Sequence, residues 1–212
     1  MKSKYFSEFL GTAFLFCTVV GSGIMGQNLS SNDSLTLLAN TLATVFALYF
    51  LITVFGDHSS HFNPVVSMVM LVRKEITTQV CTVFIILQIS GAILGVMLAN
   101  YIFELDPVLF SEKPRSGTHL FVSEILATFG LLMVILLSSK EKVAVTVAAY
   151  IGAAYWFTSS TSFANPAGTI GRSFSNTFAG ISTNDILHFC VAQIIGAFLA
   201  LIIYRTFFES QK

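Results

Sequence analysis

The sequence predicts an all-α membrane protein in which six transmembrane helices and two re-entrant half-helices form an inverted repeat. Three observations carry this. Of 212 residues, 54% are apolar and only 10% charged, whereas soluble domains carry about 25% charged residues. Six apolar stretches each approach the roughly 20 residues that a spanning helix needs. Two Asn-Pro pairs, Asn63-Pro64 and Asn165-Pro166, open apolar segments too short to cross.

The spans are expected at about 5–26, 35–56, 76–103, 118–138, 142–159 and 185–208, which leaves little room for a soluble domain. Lys2 and Lys4 precede the first run as they would in a secretory signal, but the run is long, lacks a small-residue cleavage site and recurs later. It reads as a retained helix. Cys17, Cys81 and Cys190 fall in separate spans without metal-ligand spacing and read as packing residues. No metal and no cofactor are expected, and the zero net charge gives no reason to expect nucleic acid.

Alternating the loops between two sides places Lys2, Lys4, Arg73, Lys74, Lys140, Lys142, Arg205 and Lys212 on one face. The positive-inside rule makes that face cytoplasmic, together with both termini, in a cell (inner or plasma) membrane. Lys113 and Arg115 lie opposite, in the longest loop.

Three markers then recur in the same order. Phe6-Ser7-Glu8-Phe9-Leu10-Gly11-Thr12 parallels Val122-Ser123-Glu124-Ile125-Leu126-Ala127-Thr128, Asn63-Pro64-Val65 parallels Asn165-Pro166-Ala167, and Gln88 and Gln193 each precede small residues. Each half holds three spans, an odd number, so the second enters the membrane with opposite polarity. Residues 1–212 are therefore expected to form one domain, built from repeats 1–103 and 118–208 joined by an outer loop 104–117. Gly91/Gly95 and Gly196/Ala200 supply the small-xxx-small spacing that lets helix backbones approach in lipid.

Asn is a strong N-cap and Pro suits the first helical position, so each Asn-Pro pair starts a short helix. Backbone of this kind at membrane depth must be buried in protein or line a wet cavity. Two such segments related by inversion meet near the midplane, directing positive dipole ends at the pore centre and disfavouring cations and protons. The Asn63 and Asn165 amides are placed to donate to a passing neutral solute.

These features resemble the aquaporin, or major intrinsic protein, family over essentially the whole chain. The resemblance rests on Glu8, Glu124, His61-x-Asn63-Pro64, Asn165-Pro166-Ala167, Gln88 and Gln193. It implies a homotetramer in the lipid bilayer with one pore per subunit, passing water or small uncharged solutes. It makes Asn63, Pro64, Val65, Asn165, Pro166 and Ala167 the pore centre, and His61, Glu8 and Glu124 the supports of the pore loops.

Two departures bear on what passes. The first motif ends in Val65 where the family usually has Ala. Gly168 stands where most relatives place an arginine. Arg172, seven positions after Asn165, returns to nearly the same helix face, four residues or roughly 6 Å beyond Gly168 toward the outer mouth. It either faces the pore or anchors the helix at the interface. Some bacterial members resemble this pattern and are associated with metalloid-type or larger neutral solutes. The fifth-span contribution is expected near Ala153 or Ala154 and the second-span one near Thr44 or Phe46, with Tyr155, Trp156 and Phe157 as interfacial and packing aromatics.

The expected function is thus a passive channel for small uncharged solutes of glycerol, urea or metalloid type, with water a further candidate. Alternatives are a strictly water-selective channel, or a carrier working by alternating access, since inverted repeats also build transporters. The chain contains no His-Glu-x-x-His and no Gly-x-Ser-x-Gly, and is not expected to be an enzyme.

Overall fold

A computed structural model describes residues 2–209, so Lys212 lies outside the described residues. The order is α1 (Lys2–Leu29), α2 (Asp33–Phe55), α3 (Pro64–Val72), α4 (Thr78–Ile102), α5 (Thr118–Leu137), α6 (Val143–Phe157), α7 (Pro166–Arg172), a 3-10 turn (Thr183–Asp185) and α8 (Ile186–Phe207). Among the described residues there is no strand.

Helices α1, α2, α4, α5 and α8 are long and apolar enough to cross a membrane. The fifth expected span is shorter than its apolar run. Helix α6 has 15 residues, about 22 Å at 1.5 Å per residue, against a hydrocarbon core of about 30 Å. It ends where Thr158 turns extended, with its amide and its hydroxyl both donating to the Ala154 carbonyl. The chain then descends without helix to Asn165.

Helix α1 packs on α2 and α4 as α5 packs on α6 and α8, while α2 meets α6 across the middle. The two short helices sit crosswise, α7 against α4 and α8, α3 against the same pair. Gly91 and Gly95 on α4 face the Phe9 and Ala13 carbonyls of α1, and Gly196 on α8 faces the Ile125 carbonyl of α5; a methyl group at any of the three would overlap backbone. The small-residue spacing thus sets how closely both helix pairs approach.

Burial is inverted relative to a soluble protein. Large apolar side chains such as Phe14, Phe46, Leu94, Leu126 and Ile202 lie on the outside, while Glu8, Gln88, Glu124 and Gln193 are fully enclosed. An outer surface of this kind suits lipid, where apolar side chains lose nothing by exposure.

Candidate functional site

The inward segments 56–63 and 158–165 have few internal hydrogen bonds, and buried carboxylates supply what they lack. Glu8 Oε1 accepts from the Ser59 hydroxyl at 2.5 Å and the His61 amide at 2.8 Å. Its Oε2 accepts from the Phe62 amide at 2.8 Å and Gln88 Nε2 at 2.7 Å. Glu124 repeats the pattern: Oε1 accepts from the Ser160 hydroxyl at 2.6 Å and the Phe163 amide at 2.9 Å, Oε2 from the Ala164 amide at 2.9 Å and Gln193 Nε2 at 2.7 Å. Gln88 also reaches Ser67 at 3.0 Å and Gln193 reaches Thr169 at 2.9 Å, so each glutamine ties its loop to the half-helix that follows. His61 Nδ1 lies 3.0 Å from the Ser67 hydroxyl, within the first of these clusters.

Phe62 and Ala164, the residues before the two asparagines, have positive φ of 49° and 47°. That unusual backbone aims their carbonyls across the junction. Asn63 Nδ2 donates to the Ala164 carbonyl at 2.8 Å, and Asn165 Nδ2 donates to the Phe62 carbonyl at 2.8 Å. Meanwhile Asn63 Oδ1 caps α3 through the Val65 amide, and Asn165 Oδ1 caps α7 through those of Ala167 and Gly168. Each asparagine is therefore a cap and a cross-tie at once. One amide hydrogen of each is committed, leaving the second for anything in the cavity.

A cavity of about 200 Å³ runs past this junction, room for several waters at about 30 Å³ each. Most of its lining is apolar, with Leu48, Ile52, Val66, Met70 and Ile135 among its members. Its polar members are Thr44, Ser60, His61, Asn63, Tyr155, Ser162, Asn165 and Arg172. The Ser162 hydroxyl is buried, has no partner among the described residues and lines this cavity.

Of the other residues expected at the pore centre, Pro64, Val65, Pro166 and Ala167 are buried at the junction but outside the cavity lining. A helical step of about 100° per residue turns Val65 into the core and leaves Val66 facing the cavity, so the extra methyls of Val65 do not narrow it. Gly168 is also off the lining, covered by the ring of Phe16. Arg172 is 5% exposed and lines the cavity, its guanidinium 3.4 Å from the Phe163 ring centroid and its Nε donating to the Ala179 carbonyl.

The α6 expectation is displaced. Ala153 is exposed and Ala154 is buried away from the cavity, whereas Tyr155 lines it, its hydroxyl 3.1 Å from Thr44 Oγ1. Thr44 is a lining residue, while Phe46 is 65% exposed on the opposite face. A sequence signal for Tyr155 existed: Val143, Val147, Ile151 and Tyr155 fall at four-residue intervals and all line the cavity, as do Thr44, Leu48 and Ile52 on α2.

The connecting loop covers the Arg172 end. Ser111 N donates to the Ser173 carbonyl at 2.8 Å, Arg115 Nε to the Gly180 carbonyl at 2.8 Å, and Lys113 Nζ to the Phe178 carbonyl at 2.8 Å. Arg115 also stands over the Phe163 ring, 4.7 Å from its centroid. Burial first, then the charges of Arg115 and Arg172, pull the Lys113 ammonium down to about 8, and burial holds Arg115 down to about 10.

The profile described as "Major intrinsic protein" matches residues 1–156. The chain is also 46% identical over 203 residues to "Aquaglyceroporin AqpS" of Rhizobium meliloti (strain 1021), covering 94% of this chain and 87% of that one. The chain belongs to the major intrinsic protein family. It is a multi-pass membrane protein of that family, and the two asparagine-capped half-helices and their glutamate supports are the parts through which the resemblance was legible. A second relative, "Glycerol uptake facilitator protein-like 6" of Lactiplantibacillus plantarum (strain ATCC BAA-793 / NCIMB 8826 / WCFS1), is 32% identical over 216 residues, covering 93% of this chain and 94% of that one. The X-ray structure of the aquaglyceroporin from Plasmodium falciparum superposes with a TM-score of 0.74 over 99% of this chain and 98% of that one. At 18% identity it speaks to the fold.

Proposed function

We propose that the chain is a passive transmembrane channel for small uncharged solutes wider than water, glycerol, urea and metalloid hydroxides among them, with water also admitted. The observation that carries this is the mixed lining of the cavity, in which aliphatic side chains stand alongside Asn63, Asn165, Ser162 and Arg172. A polyol presents both kinds of group, C–H along its chain and hydroxyls that hydrogen-bond, and urea is smaller and hydrogen-bonds around its edge. The relatives named as an aquaglyceroporin and a glycerol uptake facilitator support the same solute class. Arg172 supplies a fixed positive charge that opposes cations and protons.

In this reading residues 1–212 are a single channel domain of inverted repeats, and the paired glutamate–glutamine clusters favour that reading. The chain is a channel rather than an enzyme. It sits in the cell membrane with both ends cytoplasmic. The Arg73–Glu209 pair at 3.0 Å and the Arg205 bond to the Val72 carbonyl at 3.1 Å support this, since they gather the basic loop and the α8 end on one side. It assembles as a homotetramer, each subunit with its own pore.

The test is stopped-flow permeability of proteoliposomes to glycerol, urea, arsenous acid and water. Non-saturating flux of at least one solute other than water above empty liposomes is expected. Water flux alone points instead to a strictly water-selective pore, and saturable, ion-coupled uptake to a carrier.

A further inference from the structure

Gly168 is the third residue of α7 and lies one helical turn before Arg172, so the two share a face. A side chain at 168 would therefore project toward the same lumen. The room it would take is already filled. A Cβ built on Gly168 overlaps the tip of the Phe16 ring, which reaches in from α1 and is itself a lining residue, 5% exposed. Between the asparagine junction and Arg172, one stretch of wall is thus an aromatic edge from α1 seated on a bare stretch of α7 backbone.

We infer that Phe16 is a specificity-determining residue of this channel, setting the size limit for neutral solutes, and that Gly168 is the seat that lets it do so. The inference rests on the channel reading above and names the group that sets its cut-off. The ring has two torsions and an enclosed position, so it is a firm wall. It offers hydrocarbon and no hydrogen-bonding group, so a passing solute must turn carbon toward it and hydroxyls toward Asn63, Asn165 and Ser162. Polyols satisfy this up to the length and girth at which the ring blocks passage. Position 168 acts on passage through Phe16: any side chain there larger than hydrogen must drive the ring away from α7.

The experiment compares xylitol and glycerol permeability in proteoliposomes for the full chain and for F16A, G168A and F16A/G168A. F16A is expected to raise the xylitol-to-glycerol ratio at least tenfold, the lower part of the roughly 10–200-fold discrimination that one methylene of fit gives. G168A is expected to cut glycerol flux severalfold, and removing the ring in F16A/G168A to restore it, so that the two positions are strongly non-additive. F14A, altered at an exposed position on α1, leaves the ratio unchanged. F16L keeps most of the ring's volume, so it stays folded if F16A does not; it is expected to move the ratio in the same direction, and it then carries the test. A ratio unmoved in folded F16A or F16L, with glycerol still passing, overturns the inference and leaves the channel intact. Additive effects at 16 and 168 overturn it as well. Wild-type glycerol and xylitol flux at the level of empty liposomes instead refutes the channel reading for polyols, and the inference falls with it.

Discussion

Glu124→Gln removes almost no volume but breaks up a four-donor cluster beside the pore. In the native chain four donors converge on one carboxylate at 2.6–2.9 Å: the Ser160 hydroxyl, the Phe163 and Ala164 amides, and Gln193 Nε2. An amide presents one oxygen and one NH2, so one side of the cluster meets a donor with a donor. Ser160 can rotate and Gln193 can flip, but a backbone amide cannot, so either Phe163 N or Ala164 N is left unpaired in a site with 0% exposure. An orphaned buried donor costs about 1–3 kcal/mol, and the surviving bonds fall from charge-assisted to neutral strength. Together these come to about 3 kcal/mol. For a chain of this size that lowers Tm by roughly 6–12 °C. Thermal unfolding in detergent reads it directly, and proteoliposome glycerol flux should fall with it, because the loop that carries Ser162 and Asn165 loses its anchor. Glu8→Gln is expected to do the same through the His61 and Phe62 amides. A Tm within about 1 °C of wild type for both variants, outside the range expected for an orphaned buried donor, would refute the reasoning.

Asn63→Asp keeps the cap to Val65 but sets an oxygen against the Ala164 carbonyl, now 2.8 Å from Nδ2. A loss of about 2–4 kcal/mol is expected, matched by Asn165→Asp against Phe62 O, and unequal Tm losses would contradict the cross-tie. Arg172→Met removes the charge over the lumen. A unit charge at 4 Å is worth about 4 kcal/mol at an effective dielectric of 20, so a proton or cation leak at least about tenfold higher is expected with a pH-sensitive dye in the lumen, while glycerol still passes. The folded chain releases the Lys113 proton near 8 whereas the unfolded chain holds it to 10.5. The unfolded state thus binds more protons in between, and this group makes stability rise with pH across that window. Lys113→Met should flatten the rise in a series of melts from pH 7 to 10, and an unchanged slope counts against the burial of that ammonium.

Much of this was legible in the residues because lipid imposes strong rules. Spanning length, the two Asn-Pro starts and the recurrence of Glu8 and Gln88 as Glu124 and Gln193 follow from backbone satisfaction and duplication. The lining was less legible. Ala153 and Ala154 were expected to face the filter and Tyr155 was assigned to packing, because a linear motif fixes position along a helix but not its rotation. The fifth span was read through Thr158 because apolar composition does not mark where a backbone leaves the helix and turns extended.

The sequence by itself determined that the chain is an all-helical membrane protein, which residues start the half-helices, and which carboxylates lie among apolar neighbours. Those are local properties, set by hydropathy and capping. Only the tertiary structure decided that each asparagine ties to the opposite loop, that Arg172 lines the cavity, that Val65 does not, and that Phe16 takes the space beside Gly168. These depend on helices far apart in sequence arriving at set rotations. The physical reason is that volume in a packed interior is shared: whether a side chain borders the pore depends on what the neighbouring helix has already filled.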